Sequence, residues 1–409
     1  MLTTSYTGVN VFGEGQHHGH GSPVDGRYMA TMNQGLEGIV AATTVLSHVD
    51  GERGELIIGG FPVGELAERA TFEETTWLLW YGDLPSQREL NGFRRTLAAQ
   101  RALPRATLTL LRECAHQRLD PMDALRMAAG TLSLRSDDPH AVLALCPTIV
   151  AGYWRLLHEA EPLEPRHDLD HAANFLYLLT GEPPDQERVR ALETYLNTVI
   201  DHGLNASTFT ARVITSTGSD LVSAVVGAIG ALKGPLHGGA PGPALDMVFE
   251  IAEASRAERV LREKLARSEK LMGFGHRVYK VRDPRADVLA VAAERMFTRG
   301  GDMSLYTLAR SVEATAVRLL EEYKPGRRLQ TNVEFYTALL LHGLGLDVPL
   351  FTPTFAISRV SGWIAHAFEQ RRANHIIRPQ SEYAGPRDRT WVPVSERLEP
   401  STREAGTLA

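Results

Sequence analysis

Cysteine is nearly absent from this chain: two residues, Cys114 and Cys146, stand among 409. Both lie in apolar, helix-like surroundings (LRECAHQ and VLALCPT) without CxxC spacing. They read as buried free thiols, against a disulfide framework or a thiolate metal site, and buried free thiols fit a reducing cytoplasm. An excess of basic charge is also missing. The 43 Lys and Arg face 49 Asp and Glu, for a net charge of −6, so no global basic field exists to hold nucleic acid, although a local cationic pocket is compatible with that balance. No apolar run approaches the ~20 residues of a membrane span. The start, MLTTSYTGVNVFGEG, lacks a basic region leading into an apolar one, so no signal peptide is expected. There is no tandem repeat of 20 to 50 residues.

What is present is ordinary globular material, 43% hydrophobic and 22% charged, in a length that suggests two domains or one large domain with an insertion. Residues 1–32 are rich in Gly, Ser, Thr and His and read as a flexible extension. Its GQHHGHG tract (His17, His18, His20) has no carboxylate or cysteine framework to make it a metal centre. SHVDGERGELIIGGFPV carries the clearest β signal, a small hairpin or two short strands around Asp50-Gly51 and Gly59-Gly60. Almost every later segment has helical periodicity. SDLVSAVVGAIGAL, with Ser219 as its expected N-cap and Gly234-Pro235 as its stop, is apolar nearly all round, so it belongs in a core or a subunit interface. RDPRADVLAVAAERMF is expected to start with Asp283 as N-cap and Pro284 at the first helical position. From Pro386 the composition returns to loop. The fold class is therefore all-α with a small N-terminal β-hairpin.

Four polar clusters interrupt the helices: DHGLNAST (201–208), GPLHGGA (234–240), GFGHRVYKVRDPR (273–285) and NVEF (332–335). Three of them place a histidine at a helix end or among glycines, where a ligand can approach the main chain closely. GFGH lacks the spacing of a dinucleotide-binding loop and follows no strand. DPR joins free helix N-terminal N–H groups to a first-turn arginine, which describes an anion site or simply a capped helix. Glu334 in a first helical turn is favoured as a carboxylate, either as a general base or as a helix-stabilising charge. Residue types alone leave these alternatives open.

GLEGIVAATTVLSHVDGERGELIIGG, HGLNASTFTARV, ALKGPLHGGA, LMGFGHRVYKVRDPRA, NVEFY and LFTPTFAISRVSGWIAHAFEQ occur in the order seen in bacterial citrate synthases, and the resemblance runs from about Gly35 to about Pro393. It implies the citrate synthase fold: a large helical domain (33–236 and 341–409), a small helical domain inserted in it (237–340), and a homodimer. It implies condensation of acetyl-CoA with oxaloacetate, then hydrolysis of citryl-CoA, with coenzyme A as part of a co-substrate and no metal required. 2-Methylcitrate synthesis from propionyl-CoA is the near alternative, and a non-catalytic paralogue that binds acyl-CoA or a dicarboxylate is the distant one.

By position, His237 resembles the acid partner of the thioester carbonyl, His276 the group polarising the keto carbonyl, and Glu334 the catalytic base. His202, Arg285 and Arg359 resemble ligands of the substrate carboxylates, and Arg378 resembles an arginine that reaches the neighbouring subunit's site. Gly273, Phe274, Gly275 and Lys280 resemble the stretch along coenzyme A. One departure stands out. The family pattern has Asp where this chain has Glu334, and the added methylene can move the carboxylate by about 1 Å, a displacement that can cost roughly 100-fold in rate.

Overall fold

The computed structural model describes residues 34–134, 137–238, 241–300 and 302–397. The extension 1–32 with its histidine tract and the end of the C-terminal tail lie outside the described residues. The chain falls into two compact units that divide between Thr43 and Thr44. Described residues 34–43 of the first unit include one 3₁₀ turn, Gln34–Leu36. The strands and α-helices lie in the second unit.

Its three antiparallel strands are β1 (Ser47–Asp50), β2 (Glu55–Ile58) and β3 (Phe61–Pro62), in the order β1-β2-β3. The expected hairpin is present, with a third short strand added. In register, Asp50 faces Glu55 and Ser47 faces Ile58. The helices that follow are α1 (Val63–Arg69), α2 (Phe72–Tyr81), α3 (Gln87–Ala99), α4 (Arg105–His116), α5 (Pro121–Gly130), α6 (Pro139–Leu157), α7 (His171–Thr180) and α8 (Gln186–Val199). After them come α9 (Ala206–Ser216), α10 (Leu221–Leu232), α11 (Pro241–Ile251), α12 (Ala257–Ala266), α13 (Pro284–Gly300), α14 (Ser304–Tyr323), α15 (Val333–Gly343) and α16 (Phe351–Arg372). The all-α class holds.

Helix starts follow capping chemistry. Thr71 and Ser86 form capping boxes with Glu74 and Glu89, each satisfying orphan N–H groups at a helix start. The cap of α10 is Asp220 rather than Ser219: its carboxylate accepts the Ser223 N–H at 2.8 Å, and a charged acceptor at the positive helix end outcompetes the neighbouring hydroxyl. α10 buries Leu221, Val222, Ala224, Val225, Ala228, Ile229 and Leu232. Gly230 is exposed, and Ser223, Val226, Gly227 and Ala231 are half-buried, so within the protomer the helix is covered on one side. Both cysteines are buried and free. By length and composition α6 could cross a membrane, contrary to the reading of the runs above. It is mostly buried, packed against α4, α5, α7 and α16, as befits a core helix.

α16 is the axis of the core and touches α2, α6, α8, α9 and α10. It also finishes α8. The last carbonyls of a helix have no partner within it; here Ser358 Oγ donates to Leu196 O at 2.6 Å, and Arg359 Nε donates to Val199 O. Gly362 makes this approach feasible, because a Cβ there would lie 2.4 Å from Ile200 O. The C-terminal end of α8 therefore delivers Asp201 and His202 to a fixed place.

Candidate active site

Five breaks and helix starts converge. His202 lies between α8 and α9, His237 follows α10, and His276 precedes α13. Arg285 and Glu334 occupy the first turns of α13 and α15, and Arg359 sits inside α16. The loop leading into α13 and the segment leading into α15 are joined by backbone bonds: Gly275 N–H to Gln330 O at 2.7 Å, Asn332 N–H to Gly273 O at 2.9 Å and Asp283 N–H to Thr331 O at 3.3 Å.

Asp283 is the fully buried hub. It caps α13 as expected, accepting the Arg285 N–H at 3.0 Å. It also binds the Arg285 guanidinium with both oxygens, at 3.0 and 2.8 Å, and accepts the Val333 N–H at 3.1 Å. One carboxylate thus fixes a cation and the helix that carries Glu334. Asn332 caps that helix through the Glu334 N–H at 3.0 Å.

The tautomer of His276 follows from its contacts. Its Nδ1 accepts two backbone N–H groups, from Val278 at 3.0 Å and Tyr279 at 3.1 Å. The ring proton of the neutral imidazole must then sit on Nε2. Burial, then the Arg285 charge, lowers the His276 pKa to about 4, so the ring is neutral at physiological pH. Nε2 lies 3.3 Å from Arg285 Nη2. With the ring proton on Nε2 this contact sets donor against donor, and an anionic acceptor bound by both would relieve it.

Arg359 adds a third donor. Its guanidinium lies over the Phe355 ring, 4.7 Å from the centroid, and its Nη1 is buried without a partner. Burial lowers its pKa to about 10, which still leaves it charged at neutrality. A buried cationic donor without a partner is costly unless an anion completes it. His202 is held neutral by burial and by Arg285, Arg359 and His276; its ring centroid lies 5.8 Å from that of His276.

His237 Nε2 meets Ser207 Oγ at 2.8 Å. Ser207 Oγ donates to Asn205 Oδ1 at 2.8 Å and accepts the Trp363 indole N–H at 3.2 Å. Burial, then Arg359, brings the His237 pKa down to about 4. Glu334 moves the opposite way. Burial raises its carboxyl to about 7, opposed by Arg285 and Arg359 and aided by Asp283. The side chain is half-buried, and its carboxylate has no hydrogen-bond partner among the described residues, as suits a proton acceptor awaiting a substrate.

The remaining expected residues are placed differently. Gly273 and Gly275 adopt φ of 87° and 81°, which glycine tolerates best, and Phe274 packs on Phe335 with centroids 5.3 Å apart. Lys280 is exposed, its ammonium 3.3 Å from Arg277 O. Arg378 lies in the exposed segment after α16, and among the described residues no hydrogen bond or ion pair joins it to this cluster. No group of three or more His, Cys, Asp or Glu among the described residues could hold a metal ion.

Comparison with known proteins fits this geometry. Residues 35–380 match the family model "Citrate synthase, C-terminal domain". The chain is 41% identical over 379 residues to citrate synthase 2 of Bacillus subtilis, covering 90% of this chain and 100% of that one.

The chain belongs to the citrate synthase family.

It is thus an enzyme of the acyltransferase class that converts acyl to alkyl groups on transfer. The family includes 2-methylcitrate synthase of Mycobacterium tuberculosis, 40% identical over 367 residues, covering 87% of this chain and 91% of that one. Among solved structures, citrate synthase of Pyrobaculum aerophilum aligns with a TM-score of 0.81 at 37% identity, over 89% of this chain and 95% of that one. The Thermoplasma acidophilum citrate synthase, solved as a ternary complex with carboxymethyl coenzyme A and oxaloacetate, aligns with a TM-score of 0.81 at 28% identity, over 90% and 99%.

Sequence reasoning missed three members of the family-like site. Asp283 was legible as a cap but not as the partner of Arg285. Ser207 lay inside the quoted HGLNAST block without a role. Tyr279, within GHRVYK, is buried beside His202 and His276.

Proposed function

We propose that this chain condenses acetyl-CoA with oxaloacetate and hydrolyses the resulting citryl-CoA to citrate and coenzyme A. The observation that carries the reading is the convergence of His276 Nε2–H, Arg285 Nη2 and the unpartnered Arg359 Nη1 beside a free carboxylate. A keto dicarboxylate supplies the oxygens those donors lack, and charge-assisted pairs with arginine are the strong ones. His202, Arg285 and Arg359 hold the carboxylates, and Arg378 of a second subunit completes the set in a homodimer.

Glu334, ionised above about pH 7, takes a proton from the acetyl methyl group. The electron pair of that C–H bond becomes the enol, and negative charge builds on the thioester oxygen. His237 meets it with an N–H. For this the Ser207 proton, given to Asn205 Oδ1 in the free site, turns to His237 Nε2 and leaves the ring proton on Nδ1, while Asn205 Oδ1 keeps the Thr208 N–H at 3.1 Å. The enol carbon attacks the keto carbon of oxaloacetate. His276 Nε2–H stabilises the oxygen that becomes the citryl hydroxyl, and water then cleaves the thioester. Gly273, Phe274, Gly275 and Lys280 lie along coenzyme A. Residues 237–340 close as a small domain over 33–236 and 341–409, excluding water before the base acts. The buried free thiols suit a cytoplasmic setting.

The relatives that make 2-methylcitrate support a second acyl substrate, propionyl-CoA. One assay decides both points: thiol release from acetyl-CoA and from propionyl-CoA, each with and without oxaloacetate. Oxaloacetate-dependent release with a higher kcat/KM for acetyl-CoA is expected. A higher value for propionyl-CoA moves the substrate, and no dependent release with either overturns the reading.

A further inference from the structure

Tyr279 has no role in the mechanism above, yet it touches three side chains that do. It is 3% exposed. Its backbone N–H donates to His276 Nδ1 at 3.1 Å. Its ring centroid is 4.9 Å from that of His276, and the Arg285 guanidinium lies 5.7 Å from it. Its hydroxyl lies 3.0 Å from His202 Nε2. Burial raises the phenol pKa, so the group stays a neutral O–H. A hydroxyl both donates and accepts, so this pair survives whichever ring nitrogen of His202 carries the proton.

The loop that carries Tyr279 is pinned from outside by the β1–β2 turn. Lys280 N–H donates to Gly51 O at 2.9 Å. A Cβ at Gly51 would lie 2.1 Å from Val278 O, so any side chain there would push the turn off the loop. The other end of β1 holds the second histidine. Ser47 Oγ donates to Asp201 Oδ2 at 2.5 Å and accepts the Gly203 N–H at 2.8 Å, bracketing His202 on both sides along the chain. Four residues of paired strand thus span the distance between the two histidine-bearing loops.

We propose that Tyr279 and the β1–β2 hairpin form one clamp that sets His202 relative to His276, making Tyr279 and Ser47 positioning residues for the keto acid. This rests on the oxaloacetate reading of the site. No covalent step is involved: the clamp holds two neutral imidazoles and one guanidinium ready before the dianion arrives. Preorganisation of this kind appears as affinity for the ligand those groups hold.

The test is calorimetric titration of oxaloacetate into the full chain, with melting temperature and steady-state thiol release measured in parallel. If the unmodified protein binds no oxaloacetate, it is the reading of the site that fails. If it binds, Tyr279→Phe removes only the hydroxyl, and its oxaloacetate Kd is expected to rise about five- to tenfold, the worth of one hydrogen bond in a partly buried site. The KM for acetyl-CoA at saturating oxaloacetate should stay within about twofold. The melting temperature should stay within about 2 °C. Ser47→Ala should give the same split, and Ser47→Thr, which restores the hydroxyl, should reverse it. Ser47→Ala decides the matter alone if Tyr279→Phe does not fold. Unchanged oxaloacetate affinity in these variants overturns the clamp. So does a common loss of melting temperature and of both substrates, which would mark a merely structural role.

Discussion

Glu334 concentrates the chemistry of the site in one titration. Burial holds its carboxyl up near pH 7, whereas His237 and His276 are already neutral above about pH 4. The base must be ionised to act, so kcat/KM for acetyl-CoA is expected to rise with pH through about 7 and level off above it, with no second inflection from the histidines between pH 5 and 8. A flat profile over that interval would remove Glu334 as the base. Glu334→Gln keeps the shape and deletes the basicity. Turnover should fall about 1,000-fold or more, while oxaloacetate binding, made by other groups, persists; most of the activity surviving would exclude this role. The sequence showed a carboxylate in a first helical turn at this position. It did not show the Asp283–Arg285–Val333 linkage that holds the turn, because those partners meet only through the pairing of two distant loops.

At the scale of elements, the end of α8 is the sensitive joint. Two side chains of α16 satisfy its terminal carbonyls, and Gly362 lets the helices approach. Gly362→Ala would place a methyl 2.4 Å from Ile200 O. We expect it to destabilise the protein by about 1–3 kcal/mol through overpacking and to weaken oxaloacetate binding as well, since His202 follows two residues later. Thermal unfolding and calorimetric titration check the two effects together; an unchanged melting temperature would show that the joint yields. Much at this scale was legible. Helix periodicity, the Asp283-Pro284 start and the β signal around Asp50-Gly51 all correspond to observed elements. The α10 cap did not, because Ser219 and Asp220 are adjacent acceptors and only geometry chooses between them. The covered side of α10 also needed its neighbours in place, since a run of small apolar residues looks alike on every face.

For the molecule as a whole, buried carboxylates set the pH response above neutrality. Burial, reinforced by Glu73, raises Glu193 to about 8, against the pull of Arg190, and burial raises Glu73 too. A carboxyl whose pKa is higher folded than unfolded binds its proton more tightly when folded. Stability is then complete below the ordinary value of 4.5 and is lost as pH rises through about 8. Above pH 7, where the buried histidines are neutral folded and unfolded alike, the melting temperature should therefore decline toward pH 9. Glu193→Gln, which needs no proton to be neutral, should lessen that decline and melt about 2–4 °C above the unmodified protein at pH 9. A steeper decline in the variant would show that the charge of Glu193 is needed by Arg190. By itself the sequence determined the helical class, the four polar breaks and the residues able to carry the chemistry, because capping, periodicity and glycine placement act over a few neighbours. Only the tertiary structure decided which of them meet: that Asp283 serves two helices, that Arg359 keeps an unpartnered donor, and that Tyr279 lies against His202. Burial and charge depend on what the rest of the fold brings alongside, and no local pattern records that.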